Sequence, residues 1–200
     1  MRVCILGNGL SGLTLAKALV NSKIFVDVMS SKKSFQLNKS RTLGISKSNF
    51  EYFNKNIINI DKIIWKLKKI EIYSENLKNE KILSFGKNQE RLFSILKNNH
   101  IYEALNQSLS KNKYFKRIKF EKKLIKFEKY SLIILTDYST PYIKKYFSKK
   151  IKKKYNCSAF TTVIDHVKIP NDIAVQIFTK VGPLAFLPIS KSKTSIVYSI

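Results

Sequence analysis

Residues 3–12, which read Val-Cys-Ile-Leu-Gly-Asn-Gly-Leu-Ser-Gly, decide the fold predicted for this chain. Val3–Leu6 is a short apolar run of the kind that forms a buried parallel strand. The pattern G-x-G-x-x-G follows it directly and leads into a largely apolar helical segment, after which Ile24–Met29 has the pattern of a second strand. Strand, glycine-rich turn, helix and strand together are the full context of a dinucleotide-binding turn. The pattern therefore predicts an α/β chain with a Rossmann-like parallel sheet.

Each glycine of the turn has a physical role in that prediction. Gly7 permits the tight exit from the strand, Gly9 lets the backbone approach a pyrophosphate, and Gly12 lets the helix pack closely on the sheet. The first N–H groups of the helix would face the anion. All six positions are predicted cofactor contacts: Gly7, Asn8, Gly9, Leu10, Ser11 and Gly12. The alternative is a glycine-rich turn in an α/β protein that binds nothing.

The carboxylate that usually holds the ribose hydroxyls is missing from its expected place. An Asp or Glu should close the second strand, and by spacing that position is Ser30. Asp27 lies three residues earlier, inside the strand. A serine hydroxyl bonds a ribose hydroxyl less strongly than a carboxylate does. Ser30 is therefore the predicted ribose contact.

The charge of the chain is strongly positive, with 38 Lys+Arg against 13 Asp+Glu in 200 residues and a formal net charge of +25. Arginine is the residue that forks onto phosphates and guanine edges, yet only Arg2, Arg41, Arg91 and Arg117 are present. The lysines are spread along the chain beside abundant Asn and Ile, which also have A/T-rich codons. A composition bias explains the charge, and we predict no nucleic-acid partner. The dense run at 144–154 could still attract an anionic membrane surface.

Hydrophobic and cysteine content place the chain among globular proteins of a reducing compartment. With 44% hydrophobic residues it can bury a core, and no apolar run approaches the ~20 residues of a membrane span. Cys4 and Cys157 are too few for a disulfide scaffold, which favours the cytoplasm. His166 has no partners at metal-ligand spacing, so a structural role is expected for it and no metal site is predicted.

Beyond residue 30 the hydrophobic periodicity indicates a mixture of helices and strands. Helices are predicted at 46–54, at 57–67 with Trp65 in the core, and around Ile101, Leu105 and Leu109. An exposed hairpin is predicted at 117–130, followed by a buried parallel strand at 132–135. The other predicted strands belong to a second, β-rich domain, and the last three of them are antiparallel: 70–73, 82–85, 161–167, 174–179 and 194–199.

Two adjoining segments near the C-terminus resemble a known signature. Ala174–Thr179 (AVQIFT) and Gly182–Pro188 (GPLAFLP) are similar to the A-x-x-x-F-T…G-P-L-A-x-L-P signature of the ubiquinone-biosynthesis hydroxylases. These enzymes are flavoprotein monooxygenases of the para-hydroxybenzoate hydroxylase type. Arg41–Ser46 (RTLGIS) looks like their R-x-x-x-L segment, and Leu132–Asp137 (LIILTD) resembles the strand before their D-G-x-x-S motif. With the N-terminal turn, the resemblance covers nearly the whole chain.

The resemblance implies FAD as cofactor, NAD(P)H as reductant, and hydroxylation of an aromatic ring with O₂. It implies a Rossmann-like FAD-binding domain at 1–68 and 100–150, interleaved with an antiparallel-sheet substrate domain at 69–99 and 151–200. The implied substrate is a ubiquinone precursor, a polyprenyl-phenol-like small molecule. The implied location is the cytoplasm, with peripheral association at the inner face of the membrane or within a multi-protein complex.

The resemblance also assigns site residues. Arg41 and Asp137 would contact the flavin, and His100 stands, after two asparagines, where the family usually has an arginine. No catalytic acid, base or nucleophile is predicted, because in such enzymes the flavin carries the oxygen chemistry. A proline-stiffened loop would approach the flavin–substrate cavity, with substrate contacts at Gly182, Pro183, Leu187 and Pro188.

Departures from the family favour an alternative function. Tyr138, Pro141 and Lys144 replace the Gly, Ser and Arg of D-G-x-x-S-x-x-R, and the family's later flavin-binding stretch has no counterpart before Ile200. Ser195–Ile200 is an apolar strand that we expect to form an open sheet edge, in need of a continuation or a partner chain. The alternative is a truncated, non-catalytic relative that acts as a binding or scaffold subunit.

Overall fold

The structure, a computed structural model, describes residues 1–30, 40–77, 80–86, 93–119, 127–137, 141–147, 151 and 153–200. The chain folds into two compact units. The parallel-sheet unit comprises Met1–Gln36, Phe53–Asn59 and Ile101–Lys153, and the β-rich unit comprises Leu37–Tyr52, Ile60–His100 and Lys154–Ile200. Residues 37–52 and 60–68, which were expected in the first domain, lie in the β-rich unit of this division.

The helices and strands alternate along the chain. In chain order they are β1 (Arg2–Leu6), α1 (Leu10–Asn21), β2 (Phe25–Ser30), β3 (Thr42–Ser46), α2 (Lys47–Asn56), β4 (Ile64–Leu67), β5 (Lys69–Ser74), β6 (Glu80–Phe85), β7 (Phe93–Lys97), α3 (Asn98–Ser110), β8 (Phe115–Lys119), β9 (Leu132–Leu135), α4 (Pro141–Tyr146), β10 (Ala159–Asp165), β11 (Ile173–Phe178), β12 (Pro183–Ser190) and β13 (Lys193–Ser199). Single turns of 3-10 helix lie at Asp61–Ile63, Glu75–Leu77 and Phe127–Lys129.

The parallel-sheet unit is built on a four-stranded sheet in the order β8-β2-β1-β9, and every pair in it is parallel. Ile5 in the central β1 pairs with Val28 and Ile134 and is fully buried. Helix α1 buries Leu13, Ala16 and Val20, a spacing that places them on one face. Burial of side chains as large as Leu13 and Val20 contributes about 1.5–3 kcal/mol each. The strand order reverses between β1 and β9, so their carboxyl ends border the crevice where open α/β sheets bind ligands.

Asp27 is a buried charge within this sheet, with only 2% of its surface exposed. The Tyr130 hydroxyl donates to its Oδ2 at 2.8 Å, and Arg2 Nη1 lies 3.6 Å from the same oxygen. Burial and the nearby Asp27 charge raise the pKa of the Cys4 thiol to about 12, so Cys4 is protonated at neutral pH. Asp27 therefore has a structural role inside the sheet. Its position, three residues before the end of β2, agrees with that role.

The β-rich unit contains a six-stranded sheet in the order β10-β13-β12-β11-β5-β6 and a three-stranded sheet in the order β3-β7-β4. Leu67 of β4, Ile95 of β7 and Ala174 of β11 form a common buried cluster. Ile70 and Leu187 of the larger sheet pack against that cluster. Apolar burial between the two sheets therefore forms the core of this unit.

Glu71 is a second buried carboxylate, and it lies in β5 of the β-rich unit with 8% of its surface exposed. The ammonium groups of Lys69 and Lys81 each lie 2.7 Å from its Oε1, and the Tyr73 hydroxyl donates to Oε2 at 2.8 Å. Hydrogen bonds from Lys69, Lys81 and Tyr73 lower the pKa of Glu71 to about 2, although burial opposes that change. The carboxylate is thus charged over the whole ordinary pH range.

Most predicted elements are confirmed, but the helix predicted at 57–67 is wrong. Helix α2 ends at Asn56, and after the turn at Asp61–Ile63 the chain forms β4, which pairs antiparallel with β7. The isoleucines that suggested helical spacing are β-branched and suit a strand as well. A partner strand about thirty residues further along the chain decided between the two structures.

Four other expectations also need correction. Residues 117–119 of the predicted hairpin lie in β8, parallel to β2, while 120–126 lie outside the described residues. The expected loop at 182–188 is mostly strand β12. Strand β13 pairs with both β10 and β12, so the last strand is interior rather than an open edge. Within the second domain, β11 is antiparallel to β12 but parallel to β5.

Helices in the described part of the chain are too short or too polar to cross a bilayer.

Replacement of Tyr130 by Phe tests the buried Asp27 cluster. The ring is kept, but Asp27 Oδ2 loses its hydroxyl donor inside the sheet, and we expect a loss of about 1–3 kcal/mol in the free energy of unfolding. Urea denaturation measures this change. The control is Tyr114→Phe, because the described residues offer no hydrogen-bond partner to the Tyr114 hydroxyl. Equal effects of the two substitutions would contradict the assigned role.

The Glu71 cluster predicts a specific loss of stability in acid. Its pKa is lower in the folded chain than the ordinary 4.5, so the stabilisation is complete above pH 4.5 and is lost as the pH falls towards 2. We expect Glu71→Gln to flatten the decline of the unfolding free energy between these pH values. Chemical denaturation at a series of pH values tests this, with Glu51→Gln on an exposed helix position as the control. An unchanged slope in Glu71→Gln would refute the prediction.

Candidate functional site

The turn between β1 and α1 has a backbone that requires glycine at two positions. Gly7 has φ of +125°, and a Cβ there would collide with Thr136 Oγ1 and lie 3.0 Å from Asp137 Cβ. A Cβ on Gly12 would collide with the Gly7 carbonyl oxygen. The turn is therefore pressed between the first turn of α1 and the end of β9, as the predicted roles of Gly7 and Gly12 require.

The N-terminus of α1 is open to an anion. Gly9 occupies the N-cap position, where it provides no side-chain hydrogen bond, and its carbonyl accepts from Leu13 N at 3.0 Å. No acidic side chain lies in the first turn, so Leu10 and Ser11 begin the helix with uncapped N–H groups and an unneutralised positive end of the helix dipole. Asn8 is 5% exposed, and its side chain makes no hydrogen bond to the described residues. These features fit a pyrophosphate.

Hydrogen bonds tie this turn to the strand ends on either side. Gly7 N donates to Met29 O at 2.8 Å, which places the turn beside the end of β2 and next to Ser30. On the other side Asp137 N donates to Leu6 O at 3.2 Å. Ser30 and Asp137 are therefore brought together with the glycine turn at one edge of the sheet.

Thr136 is a site residue that the sequence reasoning missed. Its hydroxyl lies 3.1 Å from Leu6 O and 3.4 Å from Gly7 O, and its backbone N donates to Leu6 O at 2.9 Å. It contacts the backbone of the turn rather than the crevice itself, so it is a positioning residue. The available signal was a threonine directly after the apolar run 132–135, at the end of a predicted parallel strand.

Arg41 and His100 lie in the β-rich unit, near the start of α3. Asn98 N donates to Arg41 O at 3.1 Å, and the next residues form the register pair Thr42–Lys97 of β3 and β7. The side-chain oxygens of Asn98 and Asn99 are buried and accept no hydrogen bond from the described residues. Buried acceptors of this kind ordinarily have a partner, so the helix start that carries His100 suits a ligand that donates hydrogen bonds.

The four predicted substrate contacts lie in or beside β12, and three of them, Gly182, Leu187 and Pro188, are closely packed. A Cβ on Gly182 would collide with Ser199 O, and Gly182 N donates to Thr179 Oγ1 at 3.1 Å. Pro183 begins β12 and is half-buried. Leu187 packs on the core cluster, and Pro188 is fully buried. The G-P-L-A-x-L-P pattern therefore has a structural explanation in this unit, in addition to any contact with a substrate.

Two further residues singled out in the sequence, Tyr138 and His166, add no ligand to this candidate site. Tyr138 is not among the described residues. His166 bonds Thr194 Oγ1 through Nε2 at 3.0 Å, within a network around Asn171. Among the residues that the structure describes, no group of three His, Cys, Asp or Glu side chains is placed to hold a metal ion.

No protein-family model matches the chain, and no curated protein matches its sequence. Solved structures do match it in fold. The p-nitrophenol 4-monooxygenase PnpA from Pseudomonas putida DLL-E4 has a TM-score of 0.77 at 14% identity, over 99% of this chain and 57% of PnpA. HpxO from Klebsiella pneumoniae, solved with FAD and uric acid, has a TM-score of 0.76 at 12% identity, over 100% of this chain and 56% of HpxO.

A third match is named for a different activity. The geranylgeranyl bacteriochlorophyll reductase-like protein from Thermoplasma acidophilum has a TM-score of 0.72 at 13% identity, over 99% of this chain and 56% of that protein. The chain therefore has the fold of the flavoprotein hydroxylases and spans less than two thirds of the length of these neighbours. The predicted fold class, a Rossmann-like parallel sheet interleaved with a β-rich part, is confirmed.

Replacement of Thr136 by Val tests its positioning role. Valine keeps the shape but removes the hydroxyl near Leu6 O and Gly7 O, and we expect a loss of about 1 kcal/mol in unfolding free energy. Faster amide hydrogen exchange should be confined to the turn around Gly7. Thr162→Val, on an exposed position of β10, is the control. Unchanged exchange in the turn would count against the role of Thr136.

Proposed function

We propose that this chain is the FAD-binding part of a monooxygenase that hydroxylates an aromatic ring. One observation carries the proposal: the β1–α1 turn combines its glycine geometry, its uncapped helix N-terminus and its position where the strand order reverses. This is the combination that a dinucleotide pyrophosphate requires. The fold neighbours include a protein solved with FAD, which favours FAD among dinucleotides.

The residues present fit FAD in a defined way. The pyrophosphate would be held by the N–H groups at the start of α1, and Ser30 would bond the ribose. Asp137, beside the turn, is the further contact that the parallel-sheet unit offers. The resemblance assigns Arg41 and His100 to the flavin as well. Bound FAD would supply electron transfer and oxygen activation, and the protein would supply position and exclusion of water.

The substrate side of the proposal depends on the resemblance at Ala174–Thr179 and Gly182–Pro188. It assigns the β-rich unit to substrate binding, a polyprenyl phenol on the route to ubiquinone as substrate, and NAD(P)H as reductant. A cytoplasmic location with peripheral contact to the membrane or to other proteins belongs to the same proposal, because a polyprenyl substrate resides in lipid. In support, PnpA is named for a phenol substrate.

A second candidate function is a non-catalytic binding or scaffold subunit. It is favoured by Ser30 in place of a ribose-binding carboxylate and by His100 in place of an arginine. A chain of this kind would keep the fold and bind no flavin, but it would associate with a partner protein.

A negative charge placed in the first turn of α1 should affect flavin binding and protein stability in opposite directions. Ser11 is exposed there, and Ser11→Asp adds a carboxylate that should stabilise the free helix by about 0.3–1 kcal/mol. The same carboxylate would repel a pyrophosphate, and we expect the affinity for FAD to fall at least tenfold. Quenching of flavin fluorescence measures the affinity, and thermal unfolding measures the stability.

The matched control is Ser11→Asn, because asparagine has the size of aspartate but no charge. This variant should keep the FAD affinity within about twofold. An unchanged affinity in Ser11→Asp would contradict the assigned turn. Hydroxylation is tested on the FAD-loaded chain with NADH or NADPH and a polyprenyl phenol, by mass spectrometry for one added oxygen atom. A chain that binds no FAD but co-purifies with a defined partner would support the subunit function instead.

A further inference from the structure

The β-rich unit contains a cavity that the proposed flavin chemistry does not use. Its volume is about 690 Å³, within the ~300–1,000 Å³ of small-molecule sites. Three segments form its walls: Ile64, Trp65, Lys66 and Lys68 at β4, residues 168–172 between β10 and β11, and Lys191 in the turn between β12 and β13. All of them belong to the β-rich unit.

Lysine is more frequent around this cavity than in the chain as a whole. Lys66, Lys68, Lys168 and Lys191 are four of its ten lining residues, whereas lysine is 34 of 200 residues overall. Lys68 Nζ is paired with Asp172 at 2.7 Å. Within the described part of the chain, no carboxylate pairs with the other three ammonium groups. The cavity therefore presents three uncompensated positive charges at its rim.

The cavity walls between these lysines are apolar and firmly held. Trp65 Nε1 donates to Asn171 O at 2.6 Å, which fixes the indole as one wall. Lys68 N donates to Asp172 O at 2.8 Å, and Ile169 N donates to Lys191 O at 3.1 Å. The three wall segments are thus tied to one another, so the cavity is formed before any ligand arrives.

An apolar side chain of the cavity lining is also exposed. Ile169, next to Lys168 in the chain, has 45% of its surface exposed. Covering Ile169 with the apolar part of an amphiphilic ligand would remove this surface from water, which is favourable. Charge and apolar surface therefore indicate the same chemical class of ligand.

We propose that this cavity binds an anionic amphiphile, with a phosphate group held by Lys66, Lys168 and Lys191 and an apolar body against Trp65 and Ile169. The shared chemistry is a phosphate joined to an apolar group, whether it comes from a soluble compound or from a lipid head group. None of the residues named for this site is one of the flavin contacts named above, so the two proposals are independent of each other.

Trp65 makes the site directly observable, since it is the only tryptophan of the chain. Its fluorescence is followed at about 0.15 M salt, where distant surface charges are screened. The probes are phenyl phosphate, phosphatidylglycerol vesicles and phosphatidylcholine vesicles. We expect a saturable change with phenyl phosphate or with phosphatidylglycerol, and none with phosphatidylcholine.

Charge reversal at two matched positions distinguishes binding in the cavity from attraction to the overall positive charge of the chain. Val167-Lys168 precedes β11 and Lys180-Val181 follows it, so the two exposed Lys/Val pairs are alike in sequence and in exposure. We expect Lys168→Glu to weaken binding at least tenfold and Lys180→Glu to change it by less than twofold. Ile169→Ser, in the cavity lining, should weaken binding severalfold, and Val181→Ser should leave it unchanged.

The outcomes decide the proposal and the source of the ligand. A response to phenyl phosphate that is lost in Lys168→Glu supports a soluble phosphate compound as ligand. A response confined to phosphatidylglycerol and lost in the same variant supports a lipid head group. Equal losses in Lys168→Glu and Lys180→Glu, or no response to either anionic probe, would overturn the proposal. Each of these readings is independent of FAD binding.

Discussion

The contact between Gly7 and Thr136 joins the ends of β1 and β9, and the site in the parallel-sheet unit depends on it. The threonine hydroxyl lies within hydrogen-bonding distance of the carbonyl oxygens of Leu6 and Gly7, in the space that a Cβ on Gly7 would need. Gly12 allows the first turn of α1 to approach from the other side. The uncapped N–H groups of that helix are thereby directed to the edge where the strand order reverses. The proposed pyrophosphate contact follows from this packing.

Two buried carboxylates show how the chain satisfies charge inside its sheets. Burial of an unpaired carboxylate is costly, and both Asp27 and Glu71 are surrounded by donors. Asp27 has Tyr130 and Arg2, and Glu71 has Tyr73 with two lysines. Asp27 is a structural residue in the sheet, and Ser30 is the residue that ends β2. The excess of lysine in the composition thus has a local use at Glu71, where two ammonium groups share one oxygen.

The flavin proposal and the amphiphile proposal involve different residues and different chemistry. The first depends on backbone N–H groups and the absence of side chains, while the second depends on lysine ammonium groups around an indole. The segment that most resembles the hydroxylases, Gly182–Pro188, carries much of the packing of the β-rich unit. Its glycine accommodates Ser199 O, and Pro188 is fully buried. A signature recognised for its function is therefore also explained by close packing.

The N-terminal strand, turn and helix were determined by the sequence itself, because their interactions are local. Gly7 must adopt a positive φ, and the hydrogen bonds of α1 join residues four apart. The segment 57–67 was not determined in this way, since its isoleucines suit a helix or a strand until β7 provides a partner. Likewise β5 pairs parallel with β11, about a hundred residues away, and Thr136 reaches Gly7 across 129 positions. Such contacts were decided only by the tertiary structure, because no local periodicity specifies which distant backbone groups will meet.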